Sequence, residues 1–324
     1  MNILEVRNLK KWFTVKSSFL DFINKKKDRI IKAVDDVSFD IKKGSVFVLA
    51  GESGSGKSTI ARLILKAIAL DDGQIIFDGR DVTNLKGKEL KWFRRNAQMV
   101  HQDPYASINP RMKIIDVVRE PLTVHDTSSK EEQEDKVLKA LEEVRLEPVE
   151  EIAYRYPHML SGGQRQRVAI ARALVLKPKL IIADEPVSML DISVRAEILD
   201  LMKRLQEKYK ISYLYITHDL STARYIGDNI AILYKGKIVE YGYIDKVLLN
   251  PLHPYTKALV NAISEPDPNY LYREKMLEIK DESFEIVDSG CRFYNRCIYA
   301  MNKCKNEPKL LEIEKEHKVA CFLY

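Results

Sequence analysis

The chain of 324 residues is long enough for one large domain with an appendage, or for two modest domains. Hydrophobic residues make up 45% and charged residues 31%, which is typical of a globular protein in water. Apolar runs stay well below the roughly 18 residues of a membrane helix, and the N-terminus lacks a signal-peptide layout, so we expect a cytosolic protein. The 53 basic and 47 acidic residues leave a net charge of +6, too mild to indicate nucleic-acid binding.

Two kinds of pattern alternate along residues 1–250. Short β-branched runs predict strands at 3–6, 34–41, 45–50, 74–77, 97–101, 180–184, 213–217, 229–234 and 237–240. Helical patterns occupy residues 57–67, 130–145, 162–176, 194–209 and 220–226. Strands that alternate with helices build a largely parallel sheet covered on both faces. We therefore predict an α/β domain over residues 1–250.

Three regions depart from this alternation. Residues from about 109 to 157 show helical patterns only, which predicts a helical subdomain inserted into the α/β domain. A charged stretch at 24–29 predicts an exposed loop. Residues 251–324 begin with a short predicted helix that ends near residue 263 and continue with a linker containing Pro266 and Pro268. We expect a separate C-terminal extension over this last region.

Residues 51–58 read Gly-Glu-Ser-Gly-Ser-Gly-Lys-Ser, which fits the phosphate-loop pattern G-x-x-x-x-G-K-S/T. A predicted strand enters the loop and a predicted helix leaves it. The glycines let backbone N–H groups turn toward phosphate oxygens, Lys57 can reach the β- and γ-phosphates, and Ser58 can ligate Mg²⁺. The pattern predicts a nucleoside triphosphate site. Its residues are Gly51, Ser53, Gly54, Ser55, Gly56, Lys57, Ser58 and Thr59.

Two adjacent carboxylates follow an apolar strand later in the chain. Residues 180–184 read Leu-Ile-Ile-Ala-Asp, and Glu185 comes directly after them. A parallel strand would carry Asp184 to the phosphate end of the sheet, where it can hold Mg²⁺. Glu185 could then orient and deprotonate the attacking water.

A third motif resembles the signature of the ABC ATPases. Leu160-Ser161-Gly162-Gly163-Gln164 precedes a helical pattern and offers a second anion site at a helix N-terminus. Read alone, Ser161 could be a simple N-cap and the glycines a loop. The order of further motifs strengthens the resemblance. Gln102 resembles the Q-loop glutamine, residues 188–191 resemble the D-loop, and His218 resembles the switch histidine.

This resemblance implies a P-loop NTPase fold of the ABC type, with ATP and Mg²⁺ bound between two paired domains. It implies catalytic roles for Glu185, His218 and Gln102, and Mg²⁺ ligation by Ser58, Gln102 and Asp184. The partner's site would be completed in trans by Ser161, Gly162, Gly163, Gln164 and Asp191. An aromatic residue after the first strand would stack on adenine; Phe13 fits best and Trp12 is the alternative, although either could belong to the core.

Several stretches resemble one branch, the oligopeptide/dipeptide importer ATPases. Residues 102–111 resemble its extended Q-loop, and residues 253–256, His-Pro-Tyr-Thr, resemble the start of its C-terminal extension. The sequence at residues 161–167 and 185–188 resembles that of the second of the two ATPases that such systems use.

The branch implies a set of partners for the chain. These are a sister ATPase, two membrane permease subunits and an extracytoplasmic solute-binding protein, with the chain at the cytoplasmic face of the membrane and no nucleic acid. Peptides are the expected cargo, and nickel or oligosaccharides are alternatives. An ABC ATPase without a transport role usually carries two fused cassettes or long coiled coils, which this sequence lacks. A degenerate, non-hydrolysing subunit is disfavoured because Glu185 and His218 are present.

All four cysteines fall in the last 34 residues, at Cys291, Cys297, Cys304 and Cys321. In a cytosolic protein this placement favours metal binding over disulfides. The intervening 5, 6 and 16 residues lack the close pair usual in zinc sites.

The segment around these cysteines resembles the cysteine-bearing end of dipeptide-importer ATPases, some of which carry an iron–sulfur cluster. We therefore predict one 4Fe–4S cluster, with disulfides, zinc or free thiols as alternatives. Arg292, Arg296, Lys303 and Lys305 are expected to offset the charge of the four thiolates.

Overall fold

The computed structural model describes residues 1–15, 29–262, 279–280 and 289–324. Most of the predicted loop at 24–29 and the prolines of the predicted linker lie outside the described residues. The chain folds into two compact units, each assembled from separate segments. Unit 1 comprises Met1–Glu5, Asp40–Val46 and Ile76–Ile216, and unit 2 comprises Val6–Phe39, Phe47–Ile75 and Thr217–Tyr324. These units follow spatial contacts, so the predicted division near residue 250 stays a prediction.

The regular elements are listed here in chain order. The strands are β1 (Asn2–Val15), β2 (Arg29–Lys42), β3 (Val46–Ala50), β4 (Asp72–Phe77), β5 (Arg80–Asp81), β6 (Ala97–Val100), β7 (Leu180–Asp184), β8 (Ser212–Thr217), β9 (Asn229–Tyr234), β10 (Lys237–Tyr243), β11 (Leu311–Glu314) and β12 (His317–Val319). The helices are α1 (Lys57–Ile64), α2 (Gly87–Asn96), α3 (Pro104–Ser107), α4 (Ile114–His125), α5 (Lys130–Glu143), α6 (Val149–Ala153), α7 (Gly162–Leu174), α8 (Ile192–Tyr209), α9 (Leu220–Ile226), α10 (Ile244–Leu249) and α11 (Pro254–Asn261).

Unit 1 is built on the parallel strands β6, β7 and β8. Leu180 lies opposite Ala97 on one side and Ser212 on the other. Every residue of β7 and β8 is buried, as expected for parallel strands covered on both faces. Because the three strands run in the same direction, their carboxyl ends lie at one edge of the sheet, and the residues that follow them collect there.

The helices of unit 1 include three in the region where only helical patterns were found. These are α4 to α6, and both α4 and α5 pack against α7. The side chain of Ser129 begins α5 by accepting a hydrogen bond of 3.2 Å from the backbone N–H of Glu132, which satisfies one of the first-turn donors. Within the described ranges, no helix is both long and apolar enough to cross a membrane.

Unit 2 places the phosphate loop beside a mixed set of strands. β3 is entirely buried and pairs in parallel with β9, with Ala50 opposite Ile232. β9, β10 and β12 then continue in antiparallel order, and β11 pairs with β12. The C-terminal strands β11 and β12 therefore extend the same group of strands that carries the phosphate loop.

Candidate functional site

The phosphate loop leaves the carboxyl end of β3 and enters α1. Gly56, with φ of +108°, occupies the N-cap position of α1. A Cβ added at Gly56 would lie 2.1 Å from the carbonyl oxygen of Ala33, and one at Gly51 would lie 2.2 Å from that of Leu233. The loop thus packs against two backbones at a distance that only glycine allows. This tight turn fits the predicted role, because a glycine-rich turn before a helix N-terminus can present backbone N–H groups to a phosphate.

Lys57 provides the positive charge of this loop. Its Nζ donates hydrogen bonds of 2.7 Å to the carbonyl oxygen of Gly51 and 2.8 Å to that of Glu52, and it lies 3.4 Å from Ser55 Oγ. The side chain is buried, so the ammonium group is held within the loop. Ser58, in the first turn of α1, is exposed. A cationic loop with an adjacent exposed serine fits a Mg²⁺-bound triphosphate.

Gln102, Asp184 and Glu185 lie at the carboxyl edge of the parallel strands in unit 1. The amide Nε2 of Gln102 donates a hydrogen bond of 3.0 Å to Glu185 Oε2. Asp184 is the last residue of β7 and is 8% exposed. The structure therefore brings together the three residues of this unit that the sequence assigned to water activation and metal binding.

Glu185 has an unusual backbone conformation. Its φ is +47°, in the left-handed region that favours glycine, and its N–H donates a hydrogen bond of 2.9 Å to the carbonyl oxygen of Ile216. Ser188 Oγ donates 3.0 Å to the Glu185 carbonyl oxygen. Non-glycine residues held in this region are strained and cluster at functional sites. These bonds fix the backbone and aim the Glu185 carboxylate toward Gln102.

The predicted signature motif forms the start of α7. Ser161 Oγ accepts a hydrogen bond of 3.2 Å from Gln164 N–H, and Gln164 Oε1 accepts one of 3.0 Å from Ser161 N–H. Ser161 is thus an N-cap, as its alternative reading held, in a reciprocal capping box. A Cβ at Gly163 would lie 2.6 Å from Val194 Cγ1, so α7 approaches α8 closely at this point. Asp191 is the exposed N-cap residue of α8.

The remaining predicted residues lie in unit 2 and are accessible to solvent. His218 directly follows β8 and is exposed, and Asp219 caps α9. Phe13 is 41% and Trp12 is 40% exposed at the end of β1. Neither aromatic residue belongs to the core, and a lysine lies over each ring: Lys11 over Phe13 and Lys32 over Trp12.

The four cysteines line one small cavity in unit 2. Its volume is about 10 Å³, which is room for about one water molecule and far less than four irons and four sulfides need. All four are free thiols. Burial raises the pKa of Cys291 to about 11 and also raises the pKa values of Cys297 and Cys321.

The prediction of a 4Fe–4S cluster is wrong. Among the described residues, no group of three or more His, Cys, Asp or Glu side chains is arranged to hold a metal ion. The arginines assigned to the thiolates have other partners, because Arg292 pairs with Asp35 and Arg296 pairs with Glu52.

Sequence reasoning also missed a buried carboxylate, Glu240 of β10. It is 0% exposed and accepts hydrogen bonds of 2.8 Å from the N–H groups of both Leu252 and His253. His317 Nε2 lies 2.7 Å from Glu240 Oε1. The one signal in the sequence was a charged residue at the end of an apolar run, which equally describes an exposed strand end.

The phosphate loop between a buried parallel strand and a helix places the chain among the P-loop nucleotide-binding proteins, and its further motifs fit an ATP-binding cassette. Solved structures agree: the chain matches the dimeric structure of the cassette MJ0796 bound to ADP and phosphate with a TM-score of 0.64 and 32% identity, over 74% of this chain and 98% of that one. Residues 34–188 match the ABC transporter family model, and residues 239–304 match the oligopeptide/dipeptide transporter C-terminal region.

Two curated relatives narrow the family further. The chain is 43% identical to the oligopeptide transport ATP-binding protein AppF of Bacillus subtilis, over 99% of this chain and 97% of that protein. It is 49% identical to the oligopeptide transport ATP-binding protein OppF of Streptococcus mutans, over 86% of this chain and 90% of that protein. The chain therefore belongs to the ATP-binding proteins of the oligopeptide/dipeptide ABC transporter family, and it is an ATPase.

Proposed function

We propose that the chain hydrolyses ATP to power the import of di- or oligopeptides through a membrane transporter. The observation that carries this proposal is the identity of 43% to an oligopeptide transport ATP-binding protein along 99% of the chain. The match of residues 239–304 to the C-terminal region of such transporters adds to it. Import of nickel or oligosaccharides by the same mechanism is the alternative, since the resemblance to this branch also covers those cargoes.

The hydrolytic step is assigned to Glu185. Its carboxylate accepts a proton from water as that water attacks the γ-phosphorus, and the bond to the ADP oxygen breaks. Gln102, 3.0 Å from this carboxylate, orients it, and His218 contacts the γ-phosphate. The cation Mg²⁺, when bound, offsets the charge of the phosphate oxygens. Its proposed ligands are Ser58, Asp184 and Gln102.

Nucleotide binding is assigned to the phosphate loop and to an aromatic stack. Lys57 and the loop N–H groups hold the phosphates, with contributions from Gly51, Ser53, Gly54, Ser55, Gly56, Ser58 and Thr59. Phe13 stacks on adenine. In trans, Ser161, Gly162, Gly163, Gln164 and Asp191 complete the site of a sister ATPase, which makes the active assembly a heterodimer. The hydroxyl and helix N-terminus at Ser161 suit an anionic phosphate.

Coupling to the permease is assigned to a groove in unit 1. It has a volume of about 370 Å³ and is lined by Tyr105, Ala106, Ser107, Ile108, Asn109, Pro110, Met112, Val117, Glu120 and Arg172. Tyr105 is 61% exposed, and the Arg165 guanidinium lies 3.9 Å from the centre of its ring. A half-open groove with an exposed, braced tyrosine fits a short helix of a permease at the cytoplasmic face of the membrane.

Reconstitution tests this function. The chain, its sister ATPase, two permease subunits and the solute-binding protein are placed in vesicles, and uptake of labelled di- and oligopeptides, nickel and an oligosaccharide is measured with and without ATP. We expect ATP-dependent uptake of peptides. Uptake of nickel or oligosaccharide in place of peptides would select the alternative, and ATP hydrolysis without uptake of any of them would contradict the proposal.

A further inference from the structure

Glu52, the second residue of the phosphate loop, is held by the C-terminal region of the chain. The Arg296 guanidinium contacts its carboxylate through Nη1, at 2.9 Å from Oε2 and 3.2 Å from Oε1, and through Nη2, at 3.2 Å from Oε1. The backbone N–H of Glu52 donates a hydrogen bond of 2.9 Å to Tyr255 OH. Its carbonyl oxygen accepts the bond from Lys57. Every polar group of Glu52 thus has a partner.

We propose that Arg296 and Tyr255 are positioning residues for ATP binding: they fix Glu52, and through Glu52 the loop that presents Lys57 to the phosphates. This inference rests on the proposed function only in requiring that the loop bind ATP. The C-terminal extension then serves as one wall of the nucleotide site, in addition to any contact that it makes with other subunits.

Both positioning residues are themselves rigidly packed. Tyr255 is 1% exposed, and its ring lies 4.5 Å from that of Tyr234 and 5.5 Å from that of Phe293. The Arg296 guanidinium lies over the same two rings, at 5.9 Å from Tyr234 and 5.7 Å from Phe293. Tyr234 follows Leu233, whose carbonyl oxygen approaches Gly51. The aromatic cluster therefore braces the loop from two directions.

The charge arrangement supports a fixed contact. Burial opposes the positive charge of Arg296, but hydrogen bonds to Glu52 and Tyr234 outweigh this effect and raise its pKa above the usual range. The Arg296 side chain is 13% exposed, whereas that of Glu52 is 41% exposed. The arginine is thus the anchored partner, and its fork of N–H donors suits a carboxylate in one orientation.

A second ion pair joins the same C-terminal segment to β2, which also contacts the phosphate loop. Arg292 Nη2 lies 2.7 Å from Asp35 Oδ2, and both side chains are 9% exposed. Burial opposes the charge of Asp35, but Lys237 and Arg292 outweigh it and lower its pKa below the usual range. Trp12 Nε1 donates a hydrogen bond of 3.3 Å to Asp35 Oδ1. Asp35 lies two residues after Ala33, whose carbonyl oxygen closes against Gly56.

Two of the four cysteines are direct neighbours of these arginines. Arg292 comes directly after Cys291, and Arg296 comes directly before Cys297. A 3-10 turn, Tyr294–Arg296, lies between Cys291 and Cys297. Cys297 N–H donates a hydrogen bond of 3.0 Å to the Phe293 carbonyl oxygen. Cys291 and Cys297 thus flank the short segment that contains both arginines.

The competing account is that Arg296 and Glu52 form an ordinary surface ion pair. Exposed ion pairs contribute little to stability, so on that account the loss of Arg296 would leave ATP binding unchanged. The test compares the full-length wild type with Arg296→Gln and Tyr255→Phe. We measure the Kd for a fluorescent ATP analogue with Mg²⁺, and KM and kcat for ATP. We expect Arg296→Gln to raise Kd and KM about 10-fold and to leave kcat within about twofold, the size expected of a lost charge-assisted contact.

Two further variants separate positioning from a loss of folding. The charge-swapped double variant Glu52→Arg with Arg296→Glu should recover most of the affinity that either single change loses, which a folding defect would not do. The matched control is Lys303→Gln, because Lys303 lies in the same segment over the ring of Phe322 and should leave Kd unchanged. Melting temperatures of all variants are measured in parallel.

The outcomes are distinct. An unchanged Kd in Arg296→Gln, or a double variant no better than the single ones, would overturn the inference. Wild-type protein that binds and hydrolyses ATP but drives no peptide uptake would contradict the proposed function and leave the affinity comparison valid. The binding readout needs no turnover, so it decides the inference in either case.

Discussion

At the scale of single residues, burial decides which groups can change charge. His253 is 1% exposed, and its Nδ1 accepts a hydrogen bond of 3.0 Å from Tyr255 N–H at the start of α11. Burial lowers the pKa of His253 to about 3. The imidazole therefore stays neutral in the folded protein, where an acceptor nitrogen is needed to cap the helix.

The lowered pKa of His253 predicts how the free energy of unfolding depends on pH. The unfolded chain takes up a proton at the ordinary pKa of 6.5, and the folded chain does so only near 3. Stability is therefore lost as the pH falls from about 6.5 toward 3, by at most about 1.4 kcal/mol per pH unit. His253→Asn keeps a capping acceptor and should lack this decline.

The measurement is denaturant unfolding of wild type and His253→Asn between pH 7 and pH 4. The compared quantity is the slope of the free energy of unfolding against pH. A constant difference in stability between the two proteins, caused by altered packing, does not affect that slope. Parallel curves for both proteins would show that His253 is not the group involved.

The role of a residue could be predicted from the sequence where a motif defines it. It could not be predicted where the role depends on a contact with a distant residue. The phosphate loop was readable because Gly51, Gly56 and Lys57 stand at set spacings. The partners of Arg292 and Arg296 lie more than 240 residues away in the chain, so no local pattern pointed to them. The cysteine spacing fitted a cluster, but spacing gives no measure of the space between the thiols.

At the scale of elements, Glu240 joins three parts of unit 2. Its carboxylate, in β10, accepts from the N–H groups of Leu252 and His253 before α11, and it contacts His317 of β12. A buried carboxylate is tolerated because these partners replace water.

Glu240→Gln keeps the shape of the side chain but turns an amide group toward backbone donors. We expect the free energy of unfolding to fall by about 3 kcal/mol, the usual cost of disturbing a buried, hydrogen-bonded charge. Glu314→Gln, on exposed β11, is the matched control and should change stability by less than about 0.5 kcal/mol. A change as small as the control's in Glu240→Gln would contradict the joining role.

Elements with continuous apolar runs were predicted with the observed bounds, as for β7 and β9. The strand β11 was not predicted, although Leu311 and Ile313 alternate with glutamates, because it is only four residues long and all of them are exposed. The strand β1 runs to Val15, well beyond the predicted end at residue 6, because its second half is largely exposed and mixed in composition. Pairing with a neighbour, which the sequence does not display, sets these bounds.

At the scale of the whole molecule, transport requires that hydrolysis be coupled to the permease. Tyr105→Ala should reduce peptide uptake severalfold and leave ATP turnover within about twofold, because the change removes the exposed ring that lines the groove and none of the residues assigned to the nucleotide. Tyr225→Ala, an exposed tyrosine on α9, is the matched control. Equal losses of uptake and turnover in Tyr105→Ala would indicate a folding defect in place of coupling.

Class and family could be predicted at this scale, because six motifs stand in one order from residue 51 to residue 218. The division into two units could not, since each unit combines segments that are distant in the chain. Spatial contacts between remote segments leave no periodic signal in the sequence.

The most direct test of the account is ATP turnover by Glu185→Gln in the reconstituted assembly, with affinity for the fluorescent ATP analogue measured alongside. The change preserves shape and the neighbouring Gln102 while it removes the base, so we expect nucleotide affinity close to wild type and turnover at least about 100-fold lower. Glu207→Gln, exposed on α8, is the control and should turn over normally. Turnover at the wild-type rate in Glu185→Gln would contradict the assignment of hydrolysis to this residue.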